Sequence, residues 1–144
     1  MTLIQSEHAK GRKQAPYAAE AGNVVAARYE IDLAAATDVI ELGILPAYCR
    51  IVDATLVTDG LGGAVTADVG VMSDVPGETT ASTTVGVEIF DAADTAAAGI
   101  DRLTNQAALL LEGVDTDRAI GMTVSASATG TVILILQYAA TGDY

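Results

Sequence analysis

The sequence has few of the residues that most often carry catalysis or bind metals. Its 144 residues include one histidine (His8), one cysteine (Cys49) and no tryptophan. A single cysteine excludes an internal disulfide and a thiolate zinc site, and we interpret Cys49 as a small packed residue. A catalytic triad would depend on His8, which lies in a segment expected to be mobile and unable to hold a base in place. We therefore expect no enzyme, no catalytic residue and no cofactor.

Basic residues are also scarce, with seven Lys and Arg against 19 Asp and Glu and a net charge of −12. Nucleic-acid binding depends on clustered basic residues that neutralise phosphates, so no nucleic-acid partner is expected. No apolar run approaches the roughly 18 residues of a membrane span, and the N-terminal residues lack the apolar core of a signal peptide. We expect no membrane partner, and a protein that stays in a cytosol or in a particle assembled there.

Carboxylates, by contrast, are plentiful. Asp91, Asp94 and Asp101 form one group along the sequence, and Asp115 and Asp117 form another. Such oxygens are ligands that Ca²⁺ prefers, but neither group has the spacing of an EF-hand loop. In a chain this acidic, small groups of aspartates also arise as turn residues. We predict no metal site, although the pattern by itself leaves cation binding open.

Alternation of apolar and polar residues, typical of half-buried strands, organises the region from Thr37 to Met72. Leu45-Pro46 and the Gly-rich segment 59–63 separate three alternating runs. A Gly-rich loop between two such runs predicts that the second and third form a β-hairpin. The residues predicted to face inward are Ile40, Leu42 and Ile44; Val52, Ala54 and Leu56; and Ala67, Val69 and Val71.

Before this region, Asn23–Leu33 reads as a strand with Val25, Ala27, Tyr29 and Ile31 on one face, and residues 34–36 read as a connector. After it, Val85–Ile89 resumes the alternation. Segment 91–113 fits helical turns or a strand, and its pattern does not decide between them.

The C-terminal part is predicted to be a hairpin. Ile120, Met122, Val124 and Ala126 face inward, and a tight turn at Thr129-Gly130 leads into the run 131–140. This last run is apolar on both faces over five residues. It therefore predicts a strand at the centre of a sheet, buried on both sides.

Seven strands, or eight if segment 91–113 adds one, predict an all-β domain. The predicted fold is an antiparallel two-sheet sandwich of jelly-roll type, with an open barrel of the OB or tail-tube kind as the alternative. Residues 1–22 show no sustained period and are predicted to be an extended N-terminal arm. Residues 23–144 then form the sandwich domain.

Charge divides unevenly between these two parts. Residues 1–22 carry three basic and two acidic side chains, a net of +1, and residues 23–144 carry the remaining four basic and 17 acidic ones, a net of −13. This pattern is typical of a solvated tail, or of an arm that docks on an acidic or groove-like partner. The predicted partner-binding site in the arm comprises Leu3, Ile4, Lys10, Arg12, Lys13 and Tyr17.

Two segments, together roughly half the chain, resemble virion structural proteins of tailed bacteriophages. In residues 37–73 a strand ends in Leu-Pro-Ala and leads into RIVDATLVTD and then DVGVMS. Residues 117–140 begin with Asp-Arg-x-Ile-Gly and end in a strand that includes Gln-Tyr. The resemblance implies a head decoration, or capsid cement, protein that stabilises the capsid by binding across major capsid subunits.

The resemblance further implies the capsid exterior as the location, with assembly in the host cytoplasm and the major capsid protein as a partner. Edge strands of a sandwich carry unpaired backbone groups that closed symmetry can cover, so a trimer or dimer is expected as well. The alternative is another virion component, such as a head spike, fibre base or tail subunit. An enzyme or carbohydrate-binding module is disfavoured by the lack of usable His, Trp and Cys.

Overall fold

The computed structural model describes residues 3–6, 9–11, 23–37, 39–80 and 82–140. These residues form nine strands and one short helix. In chain order they are β1 (Leu3–Gln5), β2 (Val24–Ala36), β3 (Val39–Leu45), β4 (Cys49–Asp59), β5 (Thr66–Val71), β6 (Phe90–Asp94), β7 (Ala98–Arg102), α1 (Gln106–Leu110), β8 (Arg118–Val124) and β9 (Ala128–Ala140).

The strands form two sheets that pack face to face. The five-stranded sheet has the order β1-β3-β8-β5-β6, and the four-stranded sheet has the order β2-β9-β4-β7. All pairs are antiparallel except β1 and β3, which are parallel. From β2 onward this is the strand order of an eight-stranded jelly roll. The predicted fold class is confirmed.

Both predicted hairpins are wrong, for one topological reason. β4 and β5 lie in different sheets, and so do β8 and β9; only β5 and β6 are both consecutive and paired from β2 onward. Thr129 and Gly130 belong to β9, and the chain turns at residues 125–127 instead. Alternation and turn residues locate the ends of strands, but they do not specify the partner strand.

Two other local predictions differ from the structure, at residues 34–36 and 85–89, and the structure decides segment 91–113, which the pattern left open. Residues 34–36 continue β2 through an irregularity in its pairing with β9. Val85 forms only an isolated bridge to Met72, and the next strand begins at Phe90. Segment 91–113 holds most of β6, all of β7 and α1, so its alanine-rich first half is strand and loop, and only QAALL is helical.

The core lies between the sheets and follows the predicted alternation in most strands. In β2, Ala27, Tyr29 and Ile31 are buried, whereas the side chains between them are exposed. Val52 and Ala126, predicted to face inward, are exposed instead. A bulge in β4 shifts the register at Val52, and Ala126 lies in the turn after β8. The other strands contribute Ala54, Leu56, Ala67, Val69, Ile120, Met122, Val132, Leu134, Leu136 and Tyr138 to the core.

In the five-stranded sheet, β3 and the middle of β8 are buried on both faces, because the β5–β6 connection packs against the outer face of the sheet there. Val39, Met72 and Ala119 form a buried apolar cluster there, with Leu3 and Val85 packed against it. β3 is therefore buried along almost its whole length, contrary to the half-buried strand that its alternation predicts.

The four-stranded sheet is different. β9 lies at its centre, between β2 and β4, as predicted. Leu134 and Leu136 on the inner face are fully buried, but Ile133 and Ile135 on the outer face are partly exposed. The prediction that both faces of β9 are buried is therefore wrong.

The two sheets approach each other closely at Tyr29 and Gly43. A methyl group added at Gly43 would lie 2.5 Å from three carbons of the fully buried Tyr29 ring. The Tyr29 hydroxyl donates a hydrogen bond of 2.6 Å to the carbonyl oxygen of Ile44. The ring is thus held against β3 at a point where only glycine fits.

Gly43→Ala should destabilise the fold by about 1–3 kcal/mol, because overpacking forces the Tyr29 ring or the β3 backbone to move. Gly99→Ala is the matched control, since a methyl group there meets nothing within 4 Å, and it should change stability by less than about 0.5 kcal/mol. Urea unfolding of both variants measures the difference. Equal stability of the two variants would contradict close packing at Gly43.

Leu134→Ala should cost about 2–5 kcal/mol of unfolding free energy, because it leaves a cavity between the sheets. Ile135→Ala, on the partly exposed outer face, should cost clearly less. The comparison uses urea unfolding at a protein concentration low enough to disfavour self-association. Equal losses would show that both faces of β9 are buried in solution.

Candidate interaction surface

Leu3 and Ile4, the first residues of the predicted arm site, are part of the sandwich. β1 pairs with β3 in register, Leu3 with Val39 and Ile4 with Ile40. After β1, the Ser6 N–H donates to the carbonyl of Glu41 at 3.0 Å, and the Ser6 hydroxyl donates to the carbonyl of Leu42. The expectation that residues 1–22 contain no packed element is therefore wrong for Leu3–Gln5.

Lys10 is exposed, and its N–H donates to the carbonyl of Ser6 at 3.0 Å. It lines a groove of about 340 Å³ between β1 and β2, together with Ile4, Glu30 and Asp32. The structure thus brings Ile4 and Lys10 together at one edge of the sandwich. Arg12, Lys13 and Tyr17 lie outside the described residues, as does His8. A partner-binding role for the arm stays a prediction.

Glu41 is a buried carboxyl that alternation placed on a solvent face. Its side chain is fully buried and accepts hydrogen bonds from Gln5 of β1 (3.3 Å to Oε2) and from the hydroxyl of Thr79 in the β5–β6 connection. Burial raises the pKa of Glu41 above its ordinary value of 4.5, and the bonds from Thr79 and Gln5 partly oppose this rise. Glu41 therefore joins three separate segments on the outer face of the five-stranded sheet.

Cys49, Asp94 and Asp117, which the sequence analysis also considered, lie in structural settings. Cys49 is buried, and burial raises the pKa of its thiol. Oδ1 of Asp117 accepts the N–H of Ala47 at 2.8 Å, and Oδ1 of Asp94 accepts the N–H of Ala96 at 3.1 Å. In the described part of the chain, no three His, Cys, Asp or Glu side chains are grouped as a metal ion would require.

Exposed apolar side chains also lie on two segments that contact each other, a feature that sequence reasoning missed. Here the β3–β4 turn meets the segment from α1 to β8. The Tyr48 N–H donates to the carbonyl of Val114 at 2.7 Å. We call this surface the Tyr48 patch and define it by Tyr48, Leu109, Leu110 and Val114, which are 36%, 48%, 68% and 38% exposed. The only sequence signal was the apolar run LLL in segment 91–113, which could not be assigned to a face.

The jelly-roll fold limits the possible classes of protein but does not decide between them, because it occurs in viral capsid domains, in lectin domains and in cupins. No helix among the described residues is both long enough and apolar enough to span a bilayer. No protein-family model matches the chain, and no curated protein matches it. Solved structures, however, do match.

The chain is similar to one in the capsid of Ralstonia phage GP4, with 35% identity and a TM-score of 0.87 over 95% of this chain and 97% of the other. It shares its fold with a chain of the cyanophage Pam1 capsid asymmetric unit (20% identity, TM-score 0.59, 89% and 92% covered). It also shares its fold with a chain of the acid-stable capsid of Helicobacter pylori bacteriophage KHP30 (16% identity, TM-score 0.52, 85% and 91% covered).

The matched proteins are bacteriophage capsid proteins, a structural class. At 35% identity over nearly its whole length, this chain belongs to the family of bacteriophage virion structural proteins represented in the Ralstonia phage GP4 capsid. The predicted virion location and structural class are confirmed at this level.

Glu41→Gln tests the buried carboxyl. A raised pKa in the folded state means that the fold favours the neutral form of the Glu41 carboxyl. The contribution of Glu41 to stability is therefore fully present below about pH 4.5 and is lost as pH rises through the folded-state pKa. Gln keeps a neutral hydrogen-bonding group at this position. Its stability relative to the parent chain should therefore increase from pH 4.5 to pH 7.5, as measured by urea unfolding.

Glu112→Gln is the control for this variant, because Glu112 is exposed and its substitution should change stability by less than about 0.5 kcal/mol. If the relative stability of Glu41→Gln instead falls as pH rises, the carboxylate form is stabilised in the fold and the assignment is wrong.

Proposed function

We propose that this protein decorates and stabilises a bacteriophage capsid, as a non-enzymatic cement protein that binds the outer face of the shell across neighbouring major capsid subunits. The observation that carries the proposal is the similarity of nearly the whole chain to a protein of the Ralstonia phage GP4 capsid. The sequence resemblance to virion structural proteins of tailed bacteriophages, which implies a head decoration protein, points in the same direction.

Charge favours decoration over building the shell itself. A net charge of −12 on 144 residues makes copies repel one another. A shell built from this chain alone would place such copies in continuous contact. Docking at separated sites on a lattice of another protein avoids that repulsion, and a basic or mixed partner surface would attract the acidic body.

Stabilisation of the shell follows from mass action. A protein that binds the assembled shell but not free subunits shifts the equilibrium toward assembly. Contacts to two or more subunits add by avidity, so each contact can be weak. Dimer or trimer formation by the decoration protein would multiply these contacts, and the long β2 edge offers backbone groups for pairing.

The arm is the second proposed contact. Lys10 is exposed beside the groove between β1 and β2, and with Arg12 and Lys13 it would form charge-assisted bonds to carboxylates on a neighbour. Exposed ion pairs contribute only about 0–1 kcal/mol each, so the arm also needs apolar contacts with the neighbour. We assign these contacts to Tyr17 and to the parts of Leu3 and Ile4 that the sandwich leaves exposed. Because Leu3 and Ile4 already pack in the sandwich, the arm reinforces rather than dominates the contact.

The test adds purified protein to phage particles that lack it. We expect saturable occupancy at repeated sites on the outer shell, seen by electron microscopy, and a higher temperature of shell rupture. Replacing Lys10, Arg12 and Lys13 together by Ala should weaken binding by a salt-dependent factor of about 2–10. Binding confined to a tail, spike or fibre attachment site would assign the protein to another virion component, and absence of binding would reject the proposal.

A further inference from the structure

We propose that the Tyr48 patch is the surface that docks on the capsid shell, and that it fits an apolar depression with a basic rim on a different protein. This inference rests on the proposed function, because the shell as partner comes from there. The patch itself supplies the rest of the argument. It shows where the surface lies, which side chains it offers and why a second copy of this chain would not bind there.

Clustering distinguishes this surface from the rest of the molecule. Nine large apolar side chains are exposed in the described part of the chain, and four of them form the patch. Apolar residues scattered singly over a surface are normal, whereas several on adjoining segments indicate an interaction site. The patch also has a tyrosine, a residue type enriched at interface hot spots.

Local contacts join the two chain segments that carry the patch. The hydrogen bond from Tyr48 N–H to Val114 joins its two segments, and a methyl group at Gly113 would lie 3.2 Å from the Tyr48 carbonyl carbon. The Arg50 Nε–H donates to the carbonyl of Leu111 at 3.2 Å. The loop that follows α1 is therefore fastened to the β3–β4 turn, and the exposed side chains are presented on a fixed frame.

Packing of the fold does not require the exposed leucines. Within α1 and its C-cap, Ala108 is fully buried and Leu111 packs against the core. Asn105 caps the helix by accepting the N–H of Ala107 at 3.1 Å. Leu109 and Leu110 take no part in these contacts with the core, and a helix of five residues in water would be as stable with polar side chains at both positions. Their exposure is explained by a partner.

Tyr48 is presented in a conformation that costs energy. Its φ is 63°, in the left-handed region that bulky residues rarely adopt. Two bonds hold it there: its own N–H to Val114, and the N–H of Ala47 to Asp117 at 2.8 Å. Glycine would fit this turn more easily, so the tyrosine side chain is retained at a cost, as is typical of functional positions.

The rim of the patch selects the occupant. Glu112 and Asp115 flank Val114 and are exposed. The nearby basic side chains are directed to backbone carbonyls, Arg50 to Leu111 and Arg118 to Cys49 at 3.2 Å. A two-fold contact between identical patches would place the acidic rim of one copy against the acidic rim of the other, and the two rims would repel each other. The net charge of −12 on each copy adds to this repulsion. A basic rim on a different protein is complementary instead.

The test measures three properties of each variant: affinity for particles that lack the protein, urea unfolding and self-association by sedimentation. Leu110→Ser should lower particle affinity by about tenfold or more. Ile100→Ser is the matched control, because Ile100 is 62% exposed on the four-stranded sheet, and it should leave affinity within about twofold.

Tyr48→Gly separates binding from folding. Because glycine tolerates positive φ, this variant should keep the turn and unfold cooperatively in urea, and it should still bind at least about tenfold more weakly. Glu112→Lys should also weaken binding, by a factor that shrinks as salt increases. Its control is Glu78→Lys, since Glu78 is exposed in the β5–β6 connection, outside the patch.

Parent-level binding by both Leu110→Ser and Tyr48→Gly would overturn the patch assignment and leave the proposed function standing. Loss of self-association in these variants with intact particle binding would also overturn it, because the patch would then join copies of this chain. Absence of binding by the parent chain would reject the proposed function itself.

Discussion

Packing of the two sheets against each other is the interaction on which the rest of this structure depends. The chain has one Phe and no Trp, so the layer between the sheets is filled mostly by aliphatic side chains, with the buried rings of Tyr29, Phe90 and Tyr138. Such a layer works only where the sheets approach closely, as Tyr29 and Gly43 do. The packed sheets set the positions of the strand ends. The loops that connect the strands therefore come together at defined places, as the β3–β4 turn and the loop after α1 do.

The two sheets differ in how their outer faces are covered, and this difference directs function. The β5–β6 connection covers the outer face of β3, and β1 pairs with the edge of the same strand, with Glu41 bonded to both. That part of the five-stranded sheet is therefore committed to the fold. The surfaces left for partners are the outer face of the four-stranded sheet, the groove beside Lys10 and the Tyr48 patch.

Electrostatics and apolar contact have separate parts in the proposed capsid interaction. An acidic body keeps copies apart in solution and lowers the affinity of wrong contacts. The exposed apolar side chains of the Tyr48 patch supply an anchor that charge alone cannot, because exposed ion pairs contribute little. Membership in a family of virion structural proteins is consistent with a protein whose chemistry lies entirely in such contacts.

Period-two alternation by itself determined most of the strands and the inward faces of β2 and β5, because side-chain direction along a strand is a local property. Partner choice was decided only by the tertiary structure, since hydrogen bonds between strands leave no mark in a single strand's pattern. Glu41 is buried because a connection more than 30 residues further along the chain crosses it. Tyr48 and Val114 meet for the same reason: jelly-roll topology brings together loops that are distant in sequence.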